Sequence, residues 1–66
     1  MRVTVNGKAE EIGDGTTVAA YLSGRGLDPQ RVAVEVNRKT VKRADFAGTV
    51  LHAQDTVEIV QFVGGG

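Results

Sequence analysis

Residues 57–66 read Val57-Glu58-Ile59-Val60-Gln61-Phe62-Val63-Gly64-Gly65-Gly66, an alternating run that ends in three glycines. Val57 and Ile59 share one parity, while Glu58, Val60 and Phe62 share the other, which is the period of a strand. Only one sheet face can be covered by the short helix expected upstream, and Val57 with Ile59 is predicted to face it. Val60 and Phe62 then fall on the open face. Isolated surface hydrophobes are common, but two large ones side by side favour a patch that docks a partner. Each such side chain, once buried, contributes about 1.5–3 kcal/mol.

Working back from this strand, Val3 and Val5 alternate with Arg2, Thr4 and Asn6, and Asn6-Gly7 is a strong hairpin signal. A two-residue loop would set Val5 opposite Lys8 and Val3 opposite Glu10, which spoils the apolar face. A four-residue loop over residues 6–9 sets Ile12 opposite Val3, and this register is expected because burying Ile12 outweighs an ideal turn. Asp14-Gly15-Thr16-Thr17 leads into a helix cap, with Thr16 or Thr17 accepting from the orphan amides. Val18, Tyr21 and Leu22 share a helical face, Gly24 or Gly26 closes the helix, and Leu27 folds back onto the core. About two turns long, this helix needs a sheet beneath it.

Beyond the Asp28-Pro29 turn, Val32, Val34 and Val36 mark a third strand. Asn37-Arg38-Lys39 turns the chain into a short strand at Val41. Residues 43–48 read as a possible single helical turn burying Phe46, Val50-Leu51 as a short edge strand, and Gln54-Asp55 as a turn into the last strand, 57–63. A first hairpin, a helix across one face and a last strand returning beside the first make a β-grasp arrangement. The expected class is α+β, with a mixed four- to five-stranded sheet and one helix. Residues 1–63 form the domain and residues 64–66 a flexible tail, since glycine is costly to order and offers no side chain to anchor it.

Composition narrows the functions. The 66 residues carry eight Lys plus Arg, eight Asp plus Glu, one histidine and no cysteine. A formal net charge of zero argues against nucleic acid, which rewards a basic excess. Without cysteine there is no thiolate nucleophile, disulfide staple or cysteine zinc site. The longest apolar run, residues 18–22, is far short of the roughly 20 residues that span a membrane. The N-terminus lacks the apolar stretch of a signal peptide. A small soluble cytoplasmic domain is expected.

The three glycines are the thinnest peptide a chain can present, reaching about 10 Å beyond the sheet. Their end is an unhindered carboxylate on Gly66. The whole chain resembles the ThiS-type sulfur carriers of thiamine biosynthesis, within the ubiquitin-like β-grasp group. The resemblance rests on Val5-Asn6-Gly7, Thr17-Val18, Val34-Glu35-Val36-Asn37, Asp55-Thr56-Val57-Glu58-Ile59-Val60 and Phe62-Val63-Gly64-Gly65-Gly66. It implies that an E1-like partner of the ThiF type adenylates Gly66 with ATP. Sulfur from a persulfide donor then yields a thiocarboxylate, which a thiazole synthase of the ThiG type consumes. By this resemblance the chain is a carrier and co-substrate rather than an enzyme, with Gly64 and Gly65 as its tail, while the strand parity gives Val60 and Phe62 as docking residues.

No cofactor is expected on the chain itself. Gly13-Asp14-Gly15-Thr16-Thr17 lacks the lysine of a phosphate loop and carries an acid inside it, and Gly24-Arg25-Gly26 reads as a cap. Arg38, Lys39, Lys42 and Arg43 read as a solvated hairpin, with a lesser reading as a steering patch for an acidic partner. Glu10, Glu11 and Asp14 are not expected to converge on a cation. His52 is expected in a loop, and Tyr21 in the core with its hydroxyl at the edge. Alternatives remain open: another sulfur recipient (molybdopterin, tRNA or cysteine synthesis), a ubiquitin-like protein modifier, or a plain interaction domain.

Overall fold

Asn6 and Gly7 both take left-handed backbone angles, φ 49° and 84°, as a two-residue hairpin turn requires. They join β1 (Arg2–Val5) to β2 (Lys8–Glu11). The computed structural model describes residues 1–63; the tail residues 64–66 lie outside the described residues. Val5 pairs with Lys8 and Val3 with Glu10, so the expected four-residue loop is not formed. The tight turn and the burial of Ile12 are compatible. Ile12 continues the ladder opposite Met1, exchanging hydrogen bonds of 2.8 and 2.9 Å with it. It thereby keeps the parity of the core and packs against it. Glu10, on that same face, is satisfied at the rim by the Tyr21 hydroxyl and Arg25.

The helix α1 (Val18–Gly24) buries Val18, Tyr21 and Leu22. Thr17 is its N-cap, its hydroxyl accepting from the Ala20 amide at 3.1 Å. Loop carbonyls take the neighbouring amides: Thr49 accepts from Val18 at 2.9 Å and Phe46 accepts from Ala19 at 3.0 Å. At the other end Gly26 has φ 68°. Its amide reaches the Ser23 carbonyl while that of Leu27 reaches Leu22, the paired closure that turns a chain sharply off a helix.

A 3₁₀ turn at Pro29–Arg31 leads to β3 (Val32–Val36), which hairpins into β4 (Lys39–Val41). A second 3₁₀ turn, Arg43–Asp45, brings in Phe46, only 4% exposed. The edge strand expected at Val50-Leu51 is reduced to a single bridge between Thr17 and Val50. Leu51 instead plugs the core, and its amide bonds the Thr16 carbonyl at 2.8 Å.

The last strand, β5 (Thr56–Gln61), ends two residues earlier than expected. It lies between β1, to which it is parallel, and β3, to which it is antiparallel. The five-stranded mixed sheet has the order β2-β1-β5-β3-β4. With one helix across one face, this is the β-grasp architecture. Val3, Val34, Val57, Leu22 and Leu51 fill the space between sheet and helix.

Two asparagines with positive φ fasten β5 from either side. Asn6 accepts from the Ile59 amide at 2.8 Å and donates to the Ile59 carbonyl at 3.2 Å. Asn37, at φ 52°, accepts from the Thr56 amide and donates to Asp55, both at 2.9 Å. Asn6→Gly keeps the turn conformation but removes the clamp, and is expected to cost roughly 1–2 kcal/mol. Asn6→Ala adds the strain of a β-carbon at positive φ and is expected to cost more. Urea midpoints of the two variants measure both effects.

Candidate functional site

The site grows out of β5. Val57 is 1% exposed and Ile59 packs against the core, so their parity faces the helix as expected. The opposite parity puts Glu58, Val60 and Phe62 on the open face, with Val60 60% and Phe62 51% exposed. Ala33 of β3 stands opposite Val60 and extends the apolar strip sideways. The strip points along the chain toward residue 63, from which the glycines continue. Beyond the end of β5, the Phe62 amide donates to the Arg31 carbonyl at 2.8 Å, holding the backbone there against the 3₁₀ turn that precedes β3. The predicted tail residues Gly64, Gly65 and Gly66 lie outside the described residues.

Below the strip the register sets Glu35 of β3 directly opposite Glu58 of β5. Sequence periodicity places each glutamate on an outward position. It does not reveal that they face one another, because the pairing joins segments far apart in the chain.

The other side of β5 is different in character. A cleft of about 430 Å³ opens between β2, the end of α1 and β5, lined by Lys8, Glu10, Tyr21, Arg25, Leu27 and Gln61 among others. The Tyr21 hydroxyl donates to Glu10 Oε1 at 2.8 Å. Arg25 pairs with the same carboxylate and lies 5.3 Å from the centre of the Tyr21 ring. Burial raises the Tyr21 phenol above its ordinary value of 10.0, and the bond to Glu10 pushes the same way against the opposing charge of Arg25. The group is therefore a neutral donor that fastens the hairpin to the helix. All three polar partners are engaged with one another, so this cleft is a braced joint.

The remaining candidates separate. Glu10 turns to Arg25, Glu11 to Arg2 and Asp14 to the N-terminal amine, and among the described residues no three potential ligands gather for a metal. Arg38 occupies the β3–β4 turn at φ 68°, whereas Arg43 donates to the Pro29 carbonyl at 2.8 Å. Lys39 opens β4 and Lys42 precedes the second 3₁₀ turn. Gly24-Arg25-Gly26 is the helix closure described above, and His52 lies in the loop before β5, its amide held by Asp55 at 2.8 Å. Among the described residues no helix is long and apolar enough to cross a membrane.

Comparison with known proteins places this geometry. Over all 66 residues the chain is 39% identical to a thiazole synthase of Magnetococcus marinus and 36% identical to a thiazole synthase of Paramagnetospirillum magneticum. It spans about a fifth (20%) of the length of each of these curated relatives. The crystal structure of a thiamine biosynthesis protein, ThiS, from Geobacter metallireducens superimposes with a TM-score of 0.85 at 33% identity, each chain covered completely. The ThiS family model matches residues 3–66, a span that includes both the open-face strip and the three glycines. This chain belongs to the ThiS family.

Proposed function

We propose that the chain is a sulfur carrier of thiamine biosynthesis, with Gly66 as the residue that carries the sulfur. The observation behind this reading is the continuity of the family match through residue 66, directly beyond a strand whose outer face offers Val60 and Phe62. A carboxylate at Gly66 is ionised at neutral pH, its pKa being roughly 3.3–3.7, and is a poor electrophile. It needs activation, and an E1-like adenylating enzyme of the ThiF type supplies it. A carboxylate oxygen attacks the α-phosphorus of ATP and pyrophosphate leaves. The terminal sulfur of a persulfide donor then attacks the acyl carbon and AMP leaves. A thiol finally splits the sulfur–sulfur bond, becoming part of a disulfide and releasing the thiocarboxylate.

The chain's own part is to dock and to deliver. The open-face strip fixes the body on the enzyme, and three residues without β-carbons carry the carboxylate into a narrow site. ATP and the groups acting on it belong to the partner, which makes the chain a co-substrate. The similarity to thiazole synthases favours a ThiG-type enzyme as the recipient of the sulfur over the other recipients.

Intact mass after incubation with ATP, the activating enzyme and a persulfide donor tests the reading. Replacement of one oxygen by sulfur at Gly66 is the expected result. An unchanged mass overturns it, and attachment to lysines of other proteins would mark a modifier instead. Phe62→Ala is expected to weaken binding to the activating enzyme by about 1–3 kcal/mol, the range of an interface anchor. Its melting temperature should stay close to that of the wild type, because half of the side chain is already in solvent (51%). Titration calorimetry and a thermal melt on the same sample separate the two effects.

A further inference from the structure

The two hairpins of the sheet turn through the same geometry. Asn6-Gly7 joins Val5 to Lys8 and Asn37-Arg38 joins Val36 to Lys39, with positive φ at all four turn residues. The second position of such a turn favours glycine, because a β-carbon there crowds the backbone. The first hairpin has Gly7 in that position, and the second has Arg38 at φ 68°. Gln54, at φ 71°, is another long side chain in a glycine conformation. These two strained residues share one corner of the sheet. The Asn37 amide donates to the Thr56 carbonyl at 2.7 Å, and the Asn37 side chain bonds Asp55 and the Thr56 amide. Arg38 and Gln54 each adjoin a residue of that stitched junction. Both are exposed, and among the described residues neither side chain makes an ion pair or a hydrogen bond. Strain at exposed, unpartnered side chains gives the fold nothing and points to a contact made outside it.

The charges around the corner leave the guanidinium available. Glu58 borders a shallow hollow with Arg38, Asn37 and Thr56 without pairing with Arg38. Asp55 engages one oxygen with the Asn37 side chain and the other with the His52 amide, and Lys39 follows Arg38 in the chain. The hollow opens on the same sheet face as Val60, since Thr56, Glu58 and Val60 share one parity of β5. Val60 and Phe62 alone are too small to hold a partner, as a stable complex buries roughly 800 Å² on each side. A patch of that area is about 30 Å across, and Thr56 lies four strand residues from Val60, about 13 Å. We infer that the docking surface runs from the apolar strip down to this corner, where a protein partner presents a carboxylate to Arg38 and Gln54. The guanidinium fork takes both oxygens of a carboxylate, and the Gln54 amide supplies a further donor. Nucleic acid would meet Glu35 and Glu58 on the same face. The activating enzyme as this partner rests on the carrier reading above; the strain and the unmatched guanidinium do not.

The test sets stability against binding in the full chain, with Arg38→Gly, Gln54→Gly, the double variant and Arg38→Lys. Glycine relieves the strain, so each glycine variant is expected to melt about 2–6 °C higher than the wild type. The same variants should bind the activating enzyme about 3–10-fold more weakly, and Arg38→Gly should flatten the salt dependence. Arg38→Lys keeps the charge without the fork and should fall between. Gly7→Arg calibrates the strain by its melt alone, since an added β-carbon at Gly7 meets nothing within 4 Å; its midpoint should fall by a similar amount. Lys8→Gln, on the helix side of the sheet, controls for net charge and should bind as wild type. Wild-type affinity in a more stable double variant would overturn the inference, because the strain would then serve no contact. A lowered midpoint in the glycine variants would overturn it too, by giving the two side chains a structural role. So would an equal loss of affinity in Lys8→Gln, which marks a general charge effect. Weakened binding of the variants, with no thiocarboxylate formed by the bound wild type, would support the corner and sink the carrier reading. Thiocarboxylate formation with unchanged affinity in the double variant would do the reverse. No binding by the wild type would overturn both.

Discussion

Deleting Gly66 is expected to lower thiocarboxylate formation by 100-fold or more while leaving the melting temperature almost unchanged. Removing one residue withdraws the carboxylate by about 3.3–3.6 Å, and misplacement by about 1 Å already costs on the order of 100-fold. Appending one residue should be as damaging, because the carboxylate then overshoots the α-phosphorus and a peptide bond takes its place. Gly65→Val should fail for a separate reason, through steric conflict with the walls of the partner's channel. None of these changes replaces a core residue between sheet and helix. Single-turnover mass spectrometry with saturating ATP is the measurement. Near-normal thiocarboxylate yield from the truncated or extended chain would remove Gly66 from its proposed role.

Leu22→Ala should have the largest effect on stability. Leu22 is 1% exposed, on the buried face of α1. Leucine-to-alanine truncations at such sites cost about 3–5 kcal/mol, because the cavity closes only in part. A chain of this length has roughly 3–10 kcal/mol of stability in total. The thermal midpoint is expected to fall by roughly 12–40 °C, at about 4–8 °C per kcal/mol for a small domain. Circular dichroism melts decide it, and a midpoint within a few degrees of the wild type would show that α1 is not the element covering the core.

The contrast between these two variants reflects what a linear pattern can disclose. The faces of β5 were readable because alternation is a local property, and Val57 against Val60 is decided within four residues. The helix caps were readable for the same reason, since Thr17 accepts from an amide and Gly26 donates to a carbonyl within one turn. The hairpin register was misread because Met1 was not counted as a ladder partner for Ile12. Leu51 looked like a strand residue because β-branched and aliphatic neighbours suit strands, yet it enters the core from a loop. The asparagine clamps and the Glu35–Glu58 pair were invisible, as each depends on which distant segment lies alongside. Of the candidate site, the open-face strip that leads to the glycine run was legible, and the glutamate pairing beside it was not.

The central position of β5 also governs how the protein reaches its native state. The β1–β2 and β3–β4 hairpins are local and can form within about 1–10 μs, but neither touches the other in the finished sheet. Only β5 joins them, and its clamp to Asn6 closes a separation of 53 residues. Loop closure of that length precedes most of the favourable contacts, which places the protein among slower-folding mixed topologies rather than helical bundles. A nascent chain that stops short of β5 therefore holds two hairpins with no strand to pair them. Val60 of the open-face strip lies on the strand that completes the fold, and Phe62 follows directly after it. On the proposed function, competence for sulfur loading would thereby be reached no earlier than the complete fold.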